Sequence, residues 1–446
     1  MRNGKQEMIH GVRASATLTS GWWRRIGLLC LVLALAVALP AQNQHAVTFK
    51  TLVSFEGTNG AGPFSALVQD TDGNLYGTTG SGGTYGGGTV FEVTPSGSLT
   101  VLYNFCAQPN CTDGLIPDYL VAGSDASLFG ATGLGGATGN GTVFKVTPGA
   151  TPTTLYNFCA LTNCADGSIP IGFVLGTDGN FYGTTAFGGN GSGSGTVFKL
   201  TPGGALTTLY NFCSQPNCVD GSLPDATVIQ GADGNFYGTT EGGGANCAPY
   251  GCGTVFKITP SGTLTTLYSF CAKANCVDGS TPAASPLVQA ADGNLYGTTA
   301  GGGTFDGTFF RITPGGALTT LYSFCSQPHC VDGFAPQSPL VQAADGNFYG
   351  ETPEGGAYNG GTVFKITPSG KLTTLYSFCA QPNCTDGGGP NGLVLGTDRN
   401  FYGTTSGGGA SDSCGGGCGT VFGLSVGHKP FAEAQPSSGK GAAHLR

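Results

Sequence analysis

Charge is scarce in this sequence: Asp, Glu, Lys and Arg make up only 9% of it. It holds five His and two Trp, and both Trp (Trp22 and Trp23) fall within the first 41 residues. Beyond that stretch the histidines are His45, His329, His428 and His444. Catalysis by proton transfer or nucleophilic attack needs positioned ionisable groups, and few are on offer. Nothing after the leader shows a 3.6-residue apolar period long enough for a helix. The Gly407-Gly408-Gly409 run is not followed by Lys-Ser/Thr, which removes a phosphate-binding loop. No segment has the DxDxDG spacing of a calcium loop. The one sustained apolar run, Ile26 to Leu39, has 14 residues, short of the roughly 20 that span a bilayer.

That run reads as the core of a secretory signal over residues 1–41. Arg24 and Arg25 precede it, and small residues allow cleavage after Ala38 or Ala41. An uncleaved anchor is the alternative. Cys30 lies inside the run without the small residue that precedes a lipidated Cys. Removing 1–41 takes away five of 17 basic residues and one of 25 acidic ones, leaving 12 against 24, a formal charge of −12. Such a balance opposes nucleic acid and anionic lipid as partners. A secreted or cell-surface monomer is expected, with no membrane span after signal removal, no cofactor, and an extracellular ligand, glycan or protein as its unknown partner.

What the sequence does have is glycine, 81 residues of it without a G-X-Y period, arranged in a seven-fold repeat. The marker Asp-Gly-Asn-(Phe/Leu)-Tyr-Gly-Thr-Thr starts at Asp72, Asp178, Asp233 and Asp292. It recurs with changes at Asp345 and Asp398, and in degenerate form around Asp125. Spacings are 53, 53, 55, 59, 53 and 53 residues. Each unit holds four strand-like blocks, as in Pro286–Ala290 (A), Leu295–Thr299 (B), Gly307–Ile312 (C) and Leu318–Phe324 (D), separated by turn residues. Four strands in each of seven units predict an all-β fold, a seven-bladed β-propeller over residues 48–425. A lone D-like block (48–55) precedes the first A block, and the last C block (419–425) has no D after it. The N-terminal strand is therefore expected to complete the last blade. A β-solenoid is the runner-up, although its coils are usually shorter.

Apart from Cys30, the 16 cysteines form eight close pairs, and six of these sit in Phe-Cys-x4-Cys-x-Asp-Gly. Even count, local pairing and a leader point to disulfides: Cys106–Cys111, Cys159–Cys164, Cys213–Cys218, Cys247–Cys252, Cys271–Cys276, Cys325–Cys330, Cys379–Cys384 and Cys414–Cys418. Metal binding is the alternative, with His329 the only histidine inside a repeat. The D-A loops with these pairs and the Gly-rich B-C loops would share one face of the propeller, and variable loops on a rigid scaffold commonly carry binding sites.

The run DGNFYGTT…GGGTVFKITPSGxLTTLYSF resembles the GloVer (Gloeobacter/Verrucomicrobia-type) tandem repeat of exported bacterial proteins, over about residues 48–425. The resemblance implies a repeat scaffold with no catalytic residues to transfer. The tail (426–446) is similar to the opening of a TIG domain and is expected to be disordered.

Candidate chemistry is thin. Asp113, Asp166, Asp220, Asp278, Asp332 and Asp386 follow the Cys pairs and would ring one face. They are candidate calcium ligands, or else acids that close an Asp-Gly turn. The marker acids pose the same choice. Tyr85, Tyr250 and Tyr358 in B-C loops are candidate sugar-stacking residues. Glu241 and Glu354 leave room for a paired-carboxylate glycosidase. His329 stands where sister units have Asn. Departures from the repeat add mostly Gly, Cys and Ser, so a non-catalytic binding scaffold is expected. The alternatives are a structural or adhesive surface protein and an extracellular polysaccharide-active enzyme.

Overall fold

The computed structural model describes residues 47–123, 127–147, 151–189, 193–247, 251–282, 285–304 and 306–427. The expected signal, nearly all of the expected tail, Asp125 and Tyr250 lie outside them. Among the described residues there are twenty-eight strands, β1 to β28 in chain order, in seven antiparallel sheets of four. The chain is a seven-bladed propeller. The fourth blade shows the plan: β14 (Ile229–Gln230), β15 (Phe236–Thr240), β16 (Thr254–Ile258) and β17 (Leu264–Ser269) pair in that order. These are the A, B, C and D blocks of the sequence. The last blade differs in chain order. There β26 (Gly388–Leu395), β27 (Phe401–Gly407) and β28 (Thr420–Val426) are followed by β1 (Val47–Ser54) as outermost strand. Val47 stands opposite Val426 and Ser54 opposite Thr420.

The first five residues of every B strand are buried, as in β15, because both faces of each sheet pack on neighbouring blades. The core is accordingly divided into seven apolar clusters, each spanning two adjacent blades. One contact recurs at every junction. The Phe ending each D strand packs edge-on against the C-strand Phe of the next blade, at 5.0–5.4 Å between centroids. Phe55, just after β1, makes this contact with Phe91 and so joins the last blade to the first. Such pairs contribute about 0.5–1.5 kcal/mol each beyond area burial. Within every blade the second Thr of the marker bonds a C-strand Thr, for example Thr240 to Thr254 at 2.8 Å.

The A strands are less regular than the sequence suggests. The block Pro286–Ala290 contains a strand of only two residues, Val288–Gln289. Three A strands have eight residues: β6 (Leu115–Ala122), β10 (Ser168–Leu175) and β26. The difference lies in spacing. Pro170 precedes Asp178 by eight positions, whereas Pro224 precedes Asp233 by nine and Pro282 precedes Asp292 by ten. With the longer spacing, the A strands pair over two residues only.

Candidate functional site

The residues singled out for their recurrence turn inward on their own loops. Asp278 lies fully buried behind the pair Cys271–Cys276. Its carboxylate accepts from the Tyr268 hydroxyl at 2.7 Å and from the backbone N–H groups of Ala272 at 2.9 Å and Lys273 at 3.2 Å. Asp113, Asp166, Asp220, Asp332 and Asp386 repeat this set of donors. A carboxylate so occupied acts as the loop's internal clamp. His329 follows its sister Asn residues into the left-handed region, at φ 59°, a conformation that Asn and His tolerate better than most. All eight expected disulfides are formed.

The described marker acids clamp their hairpins on the opposite side of the blades. Asp233 accepts from the backbone N–H of Asn235 at 3.1 Å, its side-chain amide at 2.8 Å, the Tyr237 hydroxyl at 2.9 Å and Lys257 Nζ at 2.8 Å. Burial by itself would raise this carboxyl. The hydrogen bonds, Lys257 foremost, outweigh it and hold the group well below the usual carboxylate range.

Tyr85 and Tyr358 are exposed, in the B-C loops of the first and sixth blades. Glu354 is exposed in the sixth blade, while Glu241 belongs to the fourth. The structure does not gather these residues into one site. A different place does bring functional side chains together. A cavity of about 450 Å³ lies on the propeller axis, lined by A-segment residues of all seven blades. Its distinctive residues occupy one register, the position after the Pro that follows each D-A loop: Phe64, Asp118, Ile171, Asp225 and Asn391. Asp118 lies only five residues beyond Asp113, so this register sits at the stapled-loop end of the A segments. Phe64, 53% exposed, marks the mouth.

The electrostatics of this cavity are one-sided. Asp118 is half-buried in the wall, and its desolvation pushes the carboxyl up to about 6. Asp225 rises to about 6 through burial, then the charge of Glu241, then that of Asp118. Tyr119 beside them is raised to about 12 by burial and by Asp118. Among the described residues none donates a hydrogen bond to Asp118 or Asp225, and no cation offsets them.

A third acid interrupts the marker itself. Glu351 stands where other units have Thr or Ala, fully buried against the next blade. Burial pushes it to about 8, with the Ser338 hydroxyl and the Gly392 backbone pulling the other way. Neither of its oxygens has a hydrogen-bond partner of normal geometry. At this position Thr184 donates to the Ala226 carbonyl of the next blade at 2.9 Å, and Thr404 to Ser65 at 3.1 Å.

The departures from the repeat therefore add acids as well as Gly, Cys and Ser, against the expectation from sequence. The signal was present: aligning the units on the post-loop Pro puts Asp118 and Asp225 in one column. Their convergence becomes visible only when the blades close around an axis.

Solved structures share the fold, two of them from one organism. One is the extracellular domain of a B. thetaiotaomicron protein provisionally described as a one-component system, with TM-score 0.51 and 11% identity over 84% of this chain and 40% of that one. The other, provisionally a hybrid two-component system of the same organism, gives 0.53 and 14% over 84% and 41%. The chain thus spans about two fifths of each of those chains. No curated protein matches it in sequence. The Gloeobacter/Verrucomicrobia repeat matches residues 41–165, 159–343 and 306–443. With seven blades each built on that repeat, the chain belongs to the Gloeobacter/Verrucomicrobia repeat family.

Proposed function

We propose that this is an exported, non-catalytic binding propeller that takes up a small ligand in its axial cavity, from the side carrying the stapled loops. The observation that carries this reading is the convergence of the unit-specific residues Phe64, Asp118, Asp225 and Asn391 on one cavity, within an otherwise repetitive molecule. Pockets of this size are usual for small ligands, and a few polar groups on an apolar wall set orientation and specificity. Export is supported by the expected leader, by eight disulfides and by extracellular domains with the same fold. Disulfides persist in oxidising compartments.

Calorimetry with a panel of sugars, amino acids and amines tests the proposal, comparing the wild-type protein with Ile171→Trp, which fills the cavity. A saturable heat lost in the variant is expected. Equal binding by both proteins would place the site elsewhere. Turnover of a polysaccharide would favour the enzyme alternative.

A further inference from the structure

The cavity's chemistry selects among ligands. Asp118 and Asp225 project from the second and fourth blades, on either side of Ile171 in the third. Glu241, directly after its B strand and close to Asp225, adds a further negative charge. No protein donor or cation answers these groups among the described residues, so the half-buried site is short of positive charge. Even partial burial of unanswered carboxylates is costly, and a cationic ligand relieves that cost directly.

Two observations narrow the cation. The carboxylates do not cluster tightly enough to coordinate one ion. Among the described residues, the only group of three or more ligand-type side chains with converging donor atoms is Cys247, Cys252, Cys271 and Cys276, which are bonded as two disulfides. Divalent calcium needs six to eight oxygens at 2.3–2.6 Å, and the cavity does not offer that geometry. Apart from Ser65, Thr227 and Asn391, the rest of the wall is apolar and aromatic, with Leu67, Leu393, Tyr119 and Phe64. Such a wall suits a hydrocarbon stem, and the aromatic faces attract a cation in their own right.

Resting on the axial-cavity reading, we infer that the ligand is an organic cation, an amine or guanidinium group carried on an apolar stem, held between Asp118 and Asp225. Neutral sugars would donate hydrogen bonds to the acids but leave their charge uncompensated, and a bare metal ion would leave the apolar wall unused.

The test is calorimetric titration of the oxidised protein with cadaverine and agmatine, with glucose and calcium chloride as comparisons. Three proteins are compared: wild type, Asp118→Asn/Asp225→Asn, and Ile171→Trp. Melting curves accompany each, and Asp225→Asn alone serves if the double variant folds poorly. We expect the wild type to bind at least one amine, the Asn variant to bind it at least about tenfold more weakly, and Ile171→Trp to lose it. If the Asn variant binds amines as tightly as wild type while Ile171→Trp does not, the cavity is the site but the charge argument fails. If Ile171→Trp binds as wild type does, both the cavity reading and this inference fail. Failure of the wild type to bind either amine, or a preference for glucose or calcium, overturns the inference.

Discussion

Two glycines of the marker do different jobs, and they separate backbone freedom from packing space. Gly234, in the hairpin turn, has φ +77° and nothing within 4 Å of where a Cβ would stand. Gly238, four residues on, has no left-handed φ, but its Cβ would meet the Phe256 ring at 2.6 Å. Gly234→Ala should cost about 1–2 kcal/mol in backbone strain. Gly238→Ala should cost about 1–3 kcal/mol or more by overpacking a rigid interior, and its melting temperature should fall further. Glu351 offers a second test at this scale. Its carboxyl is protonated in both folded and unfolded chains at low pH. As pH rises above the ordinary carboxylate value, the unfolded chain releases the proton while the folded chain keeps it until about pH 8. Stability from this group therefore falls across that window, by at most about 1.4 kcal/mol per pH unit, and is flat above it. Glu351→Gln should remove the slope. Glu351→Thr should stabilise the protein at neutral pH by about 1–3 kcal/mol, provided the Thr makes the bond to the next blade seen at Thr184 and Thr404. Denaturant melts across pH decide both. In the cavity, Asp118 and Asp225 lose charge as pH falls through about 6, with Glu241 and Tyr119 the other titratable groups beside them. Amine binding should weaken in step. The marker was legible as a hairpin because its turn chemistry is local. The need for Gly238 was not, since Phe256 arrives from another strand.

Among the elements, the stapled loop is the most self-contained. A disulfide, a buried Asp and a Tyr hydroxyl from the preceding strand close it three times over. Asp278→Ala leaves two backbone N–H groups and a Tyr hydroxyl without their acceptor, and should cost about 1–3 kcal/mol. The loss should appear as faster amide exchange at residues 271–279, with the other five loops unchanged. Closing a loop this short contributes about 2 kcal/mol on the chain-entropy model, so reduction should lower the melting temperature without abolishing the fold. The B, C and D strands could be read from sequence to within a residue or two, because β-branched and aromatic residues fill them and turns bound them. The A segments could not. One residue more or less between Pro and the hairpin Asp decides whether the strand persists, and a block pattern does not register that count. Those same residues line the cavity, which is why the site escaped a reading based on what recurs.

In the whole molecule, no blade has a core of its own. Each apolar cluster belongs to two neighbours, and the junction between the last blade and the first has the same kind of ring contact as the others. A row of side-chain bonds on the hairpin side links blades as well: the Gln289 amide oxygen accepts from Ala232 N–H at 2.7 Å, and Gln69 accepts from Thr397 N–H at 2.7 Å, across the seam. Removing residues 47–55 should leave β28 as an open edge and take Phe55 from the first-blade core. Exposed edges recruit other chains, so this truncation should shift the protein to dimers or larger species in size-exclusion chromatography with light scattering. Phe55→Ala should destabilise about as much as Phe212→Ala at an ordinary junction, about 3–5 kcal/mol.

Because β1 is paired with β28, the ordered strand that leaves the ribosome earliest finds its hydrogen-bonding partner last. Local hairpins within a blade can form as the chain appears, but the seam must await the arrival of the far end. Non-local pairing of this kind is slow and leaves sticky edges waiting. A nascent chain stalled before residue 420 would hold six blades and an unmatched ribbon, and it is at that stage of biogenesis, more than in the finished ring, that a chaperone would be needed.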